Sequence, residues 1–247
     1  MPIEAEDILK AFFSITSKVE TETVQSIKEE IIFYLEYNVS TAEPLVLDVL
    51  QLVKLLQMED TNTVNFYDAC HVVEPIFNRL TKKETWNLYE IRVLATALSN
   101  HYSYRSACSL ADRLLEQLEA YRDAPNYIKT KRAICYNVMI SILHTKFEDQ
   151  ALWKSLEVAH NLYFQYADLC ITLFQELKME THIQMIKIKH ALVTDDFKTA
   201  TEELDKLKLL PNSHSYHKQM LKEYNDHMAL VEMTEKYLSF DIGRYFD

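Results

Sequence analysis

A chain of 247 residues with one glycine and five prolines is poorly supplied for the turns of sheet proteins and for the glycine-rich loops that cradle phosphates. Hydrophobic residues make up 48% and charged residues 26%, a balance that folds. The net charge of −11 sets the surface as a whole against nucleic acid and anionic lipid.

In chain order, residues 3–18 form an amphipathic segment with Ile8, Leu9, Phe12, Phe13 and Ile15 at helical spacing. A second helix begins at Thr21 or Thr23, with Val24, Ile27, Ile31 and Leu35 in its stripe. The third spans Thr41 to Gln57, with Thr41 as the expected N-cap and apolar residues nearly all round, so heavy burial is expected. The fourth runs from about Val64 to Leu80, and Pro75 inside it is expected to kink or split it. Thr85–Ser99 and Tyr104–Tyr121 make the first clear pair, followed by a stop at Asp123-Ala124-Pro125-Asn126. Tyr127–His144 and Asp149 to about Leu162 make the next pair. From Tyr163 the periodicity continues to Leu192 with a weak break near Met179-Glu180-Thr181, giving either two helices or one bent one. Asp196–Leu209 and a terminal helix from Pro211-Asn212-Ser213 to about Tyr237 complete the set.

Three breaks resemble one another. An aromatic follows a short polar turn, and an alanine comes three or four residues later: Tyr104 with Ala107, Phe147 with Ala151, Phe197 with Ala200. The aromatic recurs at intervals expected of long two-helix repeats, in which a small alanine lets the second helix approach closely. The fold expected is all-α, a tetratricopeptide-like right-handed stack of helical hairpins, since one hairpin cannot bury its apolar face alone. A single domain is expected over 1–240, less regular over 1–82, with clearer repeats over 83–210, a terminal helix over 211–237 and a tail over 241–247. The apolar residues Leu221, Tyr224, Met228, Val231 and Tyr237 of that last helix have no later repeat to cover them, which suggests a homodimer.

Catalytic motifs are lacking. There is no GxSxG, Walker A or GxGxxG motif, and no histidine pair stands at HxxxH or HExxH spacing, so neither an enzyme, a metal site nor a cofactor is expected. Cys70, Cys108, Cys135 and Cys170 lie far apart in apolar runs with no CxxC pair, and read as small buried hydrophobes in a reducing cytoplasm. No apolar run approaches a membrane span, and Pro2, Glu4, Glu6 and Asp7 do not begin a secretory signal, so a cytoplasmic location without membrane contact is expected.

A binding surface remains. The first helices of stacked hairpins line a concave face, where an asparagine amide can both donate to and accept from a peptide backbone. Asn137, in the otherwise apolar run Cys135-Tyr136-Asn137-Val138-Met139, either bonds a neighbouring helix or contacts a ligand; Asn100 is a second candidate. Arg92, Tyr89, Tyr102, His144, Lys187 and His190 lie around them and would make a cationic groove suited to a carboxylate or acidic side chain.

The segment Glu84-Thr85-Trp86-Asn87-Leu88-Tyr89-Glu90-Ile91 resembles the Trp…Tyr-Glu segment opening a central repeat of the Rgg-type regulators. Ile134-Cys135-Tyr136-Asn137-Val138 and Thr194-Asp195-Asp196-Phe197 are similar to repeat positions in the wider PlcR, PrgX and Rap group of peptide-pheromone receptors. The resemblance spans about residues 20–235. It implies a cytoplasmic quorum-sensing receptor of Gram-positive bacteria that binds a short imported peptide, dimerises, and clamps the peptide backbone through Asn137 and Asn100. Rgg-type regulators carry an N-terminal helix-turn-helix, whereas the first helices here are acidic and lack that signature. Two readings follow. The chain is the receptor domain of a longer transcriptional regulator, touching DNA only through a segment outside it, or a scaffold of Rap type that binds a protein partner without DNA.

Overall fold

The structure, a computed structural model, describes residues 4–15, 21–38, 41–60, 66–101, 103–148 and 157–243; within these, the side chains of 21, 59–60, 145–148 and 233–243 are not described. The described residues form eleven helices and no strand. These are α1 (Ala5–Ser14), α2 (Thr21–Tyr37), α3 (Pro44–Asp60), α4 (Phe66–Leu80), α5 (Leu88–Ala97), α6 (Tyr104–Leu118), α7 (Tyr127–Glu148), α8 (Glu157–Glu176), α9 (Glu180–Val193), α10 (Phe197–Leu209) and α11 (His214–Gly243). The all-α class read from periodicity holds. Pro75 lies within α4 without splitting it, and α3 begins with Pro44 in its first turn, so Thr41 is not the cap.

The chain divides into two compact units, Met1–Tyr166 and Ala167–Asp247. The boundary falls inside α8, a helix that also runs through residues 162 and 163, where the sequence suggested an ending. In the first unit the buried faces of α1 to α7 supply the core. Ile8 and Phe12 of α1, Ile27 and Ile31 of α2, Val46, Val49, Leu52 and Val53 of α3, Ile76 and Leu80 of α4, and Ile91 and Leu94 of α5 are all buried. Helix α6 turns Ala107, Ala111, Leu114 and Leu118 inward, and α7 turns in Ile134, Val138 and Ile142. In the second unit Met185, Ile188 and Leu192 of α9 pack with Ala200, Leu204 and Leu207 of α10 and Met220 of α11. Ala107 and Ala200 have no exposed surface, as the repeat pattern requires; Ala151 lies outside the described residues.

The ends of α8 and α9 are closed without glycine. After α8 the amide of Met179 bonds the carbonyl of Phe174 (2.9 Å), and after α9 the amide of Asp196 bonds that of Ala191 (2.9 Å). These are the long bonds of Schellman turns, whose middle residue must be left-handed. Those residues are Lys178 (φ 55°) and Asp195 (φ 57°). Asn212 adopts the same region (φ 55°) ahead of α11. The side chain of Asp196 then caps α10 by accepting from the amide of Thr199 (3.0 Å). A lysine in this conformation is strained by its Cβ, whereas glycine is not. Lys178→Gly is therefore expected to stabilise the protein by about 0.5–1 kcal/mol, read as a higher urea midpoint with an unchanged slope.

Candidate peptide-binding trough

The turn between α4 and α5 is a structural junction. Trp86 is buried, and its indole N–H donates to the carbonyl of Leu80 at the end of α4 (2.8 Å). Its own amide donates to Oε1 of Gln117 on α6 (2.8 Å), while Nε2 of Gln117 donates to the carbonyl of Glu84 (2.8 Å). The Arg113 guanidinium lies 4.6 Å from the Trp86 ring centroid. Asn87 and Glu90 complete a capping box, each side chain taking the other's backbone amide (3.0 Å both ways), and Lys83 pairs with the buried Glu90. The segment that carries the family resemblance thus fastens α4, α5 and α6 together.

Several residues expected in a groove are engaged inside the first unit. Nδ2 of Asn137 on α7 donates to the carbonyl of Ala95 in the last turn of α5 (2.7 Å), the neighbouring-helix alternative left open by the sequence. Nη2 of Arg92 donates to the carbonyl of Phe13 in the last turn of α1 (3.1 Å). The Arg92 guanidinium also lies 4.0 Å from the Phe13 ring, against which Tyr89 stacks at 6.2 Å. Burial holds the Arg92 guanidinium below its ordinary pKa. Asn100 is buried in the short turn after α5, with Nδ2 donating to Oγ of Ser99 (3.1 Å). His144 packs edge-on against Phe66 at 4.7 Å. Tyr102 lies outside the described residues. Lys187, exposed, and His190, half-buried, belong to α9 in the second unit, so they share no helix and no unit with the others.

The second unit contains charged and polar pairs that periodicity did not reveal. Lys189, which is buried, pairs with Glu223 of α11, and Nε2 of the buried His227 lies 2.8 Å from Oδ1 of Asp195. Gln184 of α9 donates to the carbonyl of Glu203 (3.1 Å) and to its carboxylate. The Lys189–Glu223 and Gln184–Glu203 pairs each join two helices, and His227 joins α11 to the turn between α9 and α10. All four cysteines are buried, as expected. Burial pushes the Cys108 thiol up to about 11 and that of Cys135 to about 12, so neither is a thiolate at neutral pH.

In the first unit an open polar surface runs along α4 and the turn that follows it. A trough of about 700 Å³, open to solvent, is lined by His71, Glu74, Pro75, Asn78, Arg79 and Lys82. Helical geometry aligns His71, Glu74, Pro75 and Asn78 on one side of α4, and Lys82 follows in the turn after Leu80. Arg79 pairs with the buried Asp48 of α3, and Nδ1 of His71 lies 3.6 Å from Glu74. The side chains of Asn78 and Lys82 are exposed and form no hydrogen bond or ion pair among the described residues. The trough therefore presents an amide that can donate and accept, and a cation, on a strongly acidic chain. Sequence reasoning missed it because Asn78 and Lys82 read as ordinary surface residues; the i, i+3, i+4, i+7 spacing of His71, Glu74, Pro75 and Asn78 was the available signal. The described residues hold no group of three or more His, Cys, Asp or Glu side chains able to bind a metal. No described helix is long and apolar enough to cross a membrane.

The chain matches no family model, no curated protein and no solved structure.

Two outcomes test these assignments. Asn137→Ala leaves a helix-end carbonyl short of a donor and should lower stability by about 1–3 kcal/mol, seen as a lower denaturation midpoint. His101 packs edge-on to Phe77 at 4.7 Å, and burial holds its imidazole below the ordinary value of 6.5. The unfolded chain then takes up the proton first, so this contribution to stability is intact above about pH 6.5 and is lost as the pH falls through and below it. His101→Gln should flatten that part of the profile in melts recorded between pH 7.5 and 5.

Proposed function

We propose that the chain is a peptide-binding helical module and that its ligand lies in the α4 trough. The observation supporting this is the exposed side-chain amide of Asn78, which bonds no group among the described residues, together with the exposed ammonium of Lys82 in an open trough of about 700 Å³. An open trough along a helix suits an extended peptide segment lying on the surface more than an enclosed small ligand. Asn78 would bond a peptide unit whatever its side chain, and Lys82 would favour a terminal carboxylate or an acidic side chain.

The more specific reading follows from the resemblance. The hairpins would belong to a tetratricopeptide-like, right-handed array, and the chain would be the receptor domain of a peptide-pheromone-responsive transcriptional regulator in the cytoplasm. Any DNA contact would come from a segment outside this sequence. Pairing of two copies along α11, where Leu221 is exposed, belongs to the same reading. The alternative, a scaffold for a protein partner, is favoured by a separate surface on α2.

Calorimetry with synthetic apolar peptides of seven to ten residues, each with a free or an amidated C-terminus, tests the trough. Asn78→Ala and Lys82→Ala should each weaken binding about tenfold to a hundredfold, with melting unchanged because both side chains are exposed. Equal binding by native protein and both variants would exclude the trough.

A further inference from the structure

Helix α2 has two apolar faces, and the described structure covers only one. Val24, Ile27, Ile31 and Tyr34 point inward and are buried. On the other side Ile32 and Phe33 are each 44% exposed and Tyr37 is 74% exposed. Phe33 and Tyr37, one helical turn apart, pack ring on ring with centroids 4.6 Å apart. Single exposed apolar residues are ordinary on a surface, but three within six residues of one helix are not.

The charge on this face is one-sided. Glu22, Glu29 and Glu36 are exposed and recur every seven residues. At 100° per residue they form a ridge with Ile32 on one flank and Phe33 and Tyr37 on the other. Glu29 accepts a hydrogen bond from Gln25 (2.8 Å), and Glu22 and Glu36 make no ion pair among the described residues. The one cation of α2, Lys28, faces α3, where it bonds Oε1 of Gln57 (3.0 Å). Carboxylates at heptad spacing between apolar flanks match a second helix that presents lysine or arginine at the same spacing beside its own apolar stripe. The same ridge opposes a second copy of this face and an anionic bilayer, both of which would bring negative charge against it.

We propose that the outer face of α2, with Ile32, Phe33 and Tyr37 as its apolar contacts and Glu22, Glu29 and Glu36 as its charged ridge, docks a basic amphipathic helix of a partner protein. This surface is separate from the α4 trough and does not depend on a peptide being bound there.

The test uses the full chain and a synthetic 18-residue helical peptide of leucine and lysine in heptad pattern, with a leucine–glutamate peptide of the same pattern as its charge-reversed counterpart. Fluorescence anisotropy should show saturable binding of the lysine peptide that weakens with added salt, and no binding of the glutamate peptide. Two double variants, Phe33→Ser with Tyr37→Ser and Glu29→Lys with Glu36→Lys, should each weaken binding at least about tenfold. Asn78→Ala with Lys82→Ala should leave it unchanged. Melting curves check that the variants fold, and if the aromatic pair melts early the charge-reversed pair decides. The proposal is overturned if the lysine peptide fails to bind, or binds native and α2 variants alike, or loses binding only with the trough variant. It is equally overturned if sedimentation shows native self-association abolished by the aromatic pair, which would make a second copy the occupant. Binding of native protein, but not of the aromatic variant, to phosphatidylcholine vesicles would assign the face to lipid instead.

Discussion

An α-helix leaves the carbonyls of its last turn without amide donors, and a chain with one glycine has few of the usual ways to close them. Much of this structure follows from that shortage. The last turn of α1 is met by the guanidinium of Arg92, that of α4 by the indole of Trp86, and that of α5 by the amide of Asn137. In the second unit the chain closes α8 and α9 through left-handed Lys178 and Asp195. The first three closures also position helices. A donor on α7 reaching the end of α5, or one on α5 reaching the end of α1, fixes where along its partner each helix stops. Apolar packing alone sets this weakly, because it is not directional.

The same shortage explains why the polar residues that looked most like ligand contacts are engaged within the chain. A polar side chain in an apolar helical run must find a partner, and the nearest unsatisfied groups inside a helical protein are helix-end carbonyls. Asn137 and Arg92 meet that demand, and Tyr89 follows Arg92 by stacking on the same Phe13 ring. Such a hydrogen bond contributes only about 1 kcal/mol net, but leaving the carbonyl bare costs more, so these side chains are held. A ligand surface has to be sought where polar groups are not needed by the fold. In the first unit that points to exposed helix faces, on α4 and α2.

What the sequence made legible was local. The helices were visible because their apolar stripes repeat at 3.6 residues, and the break at Met179 because the stripe lapses there. Ala107 and Ala200 were identifiable as close-contact positions because only a small side chain fits between tightly packed helices, and both are fully buried. What remained hidden depends on distant partners. Nothing near Asn137 in sequence indicates that Ala95 will be its acceptor, and nothing near Lys189 indicates Glu223. The unit boundary was hidden for a related reason. Helix α8 is periodic throughout, and the change in what it packs against leaves no mark on that period. Pro75 misleads in the opposite direction. It removes one ladder bond, yet the buried face formed by Val73, Ile76, Phe77 and Leu80 keeps α4 in one piece.

The resemblance to peptide-pheromone receptors can be weighed on the same terms. Its clearest segment, Glu84 to Ile91, contains a buried tryptophan that closes one helix, an asparagine–glutamate capping box that opens the next, and backbone groups tied to Gln117 of a third. Its last segment, Thr194 to Phe197, is a left-handed turn followed by an aspartate N-cap. Helical hairpins packed in series need such turns whatever they bind, so these matches bear on architecture. Specificity for a ligand would have to reside in residues the turns do not use. Asn78 on α4, Lys82 just after it, and the glutamate ridge of α2 are of that kind: exposed, and outside the buried core.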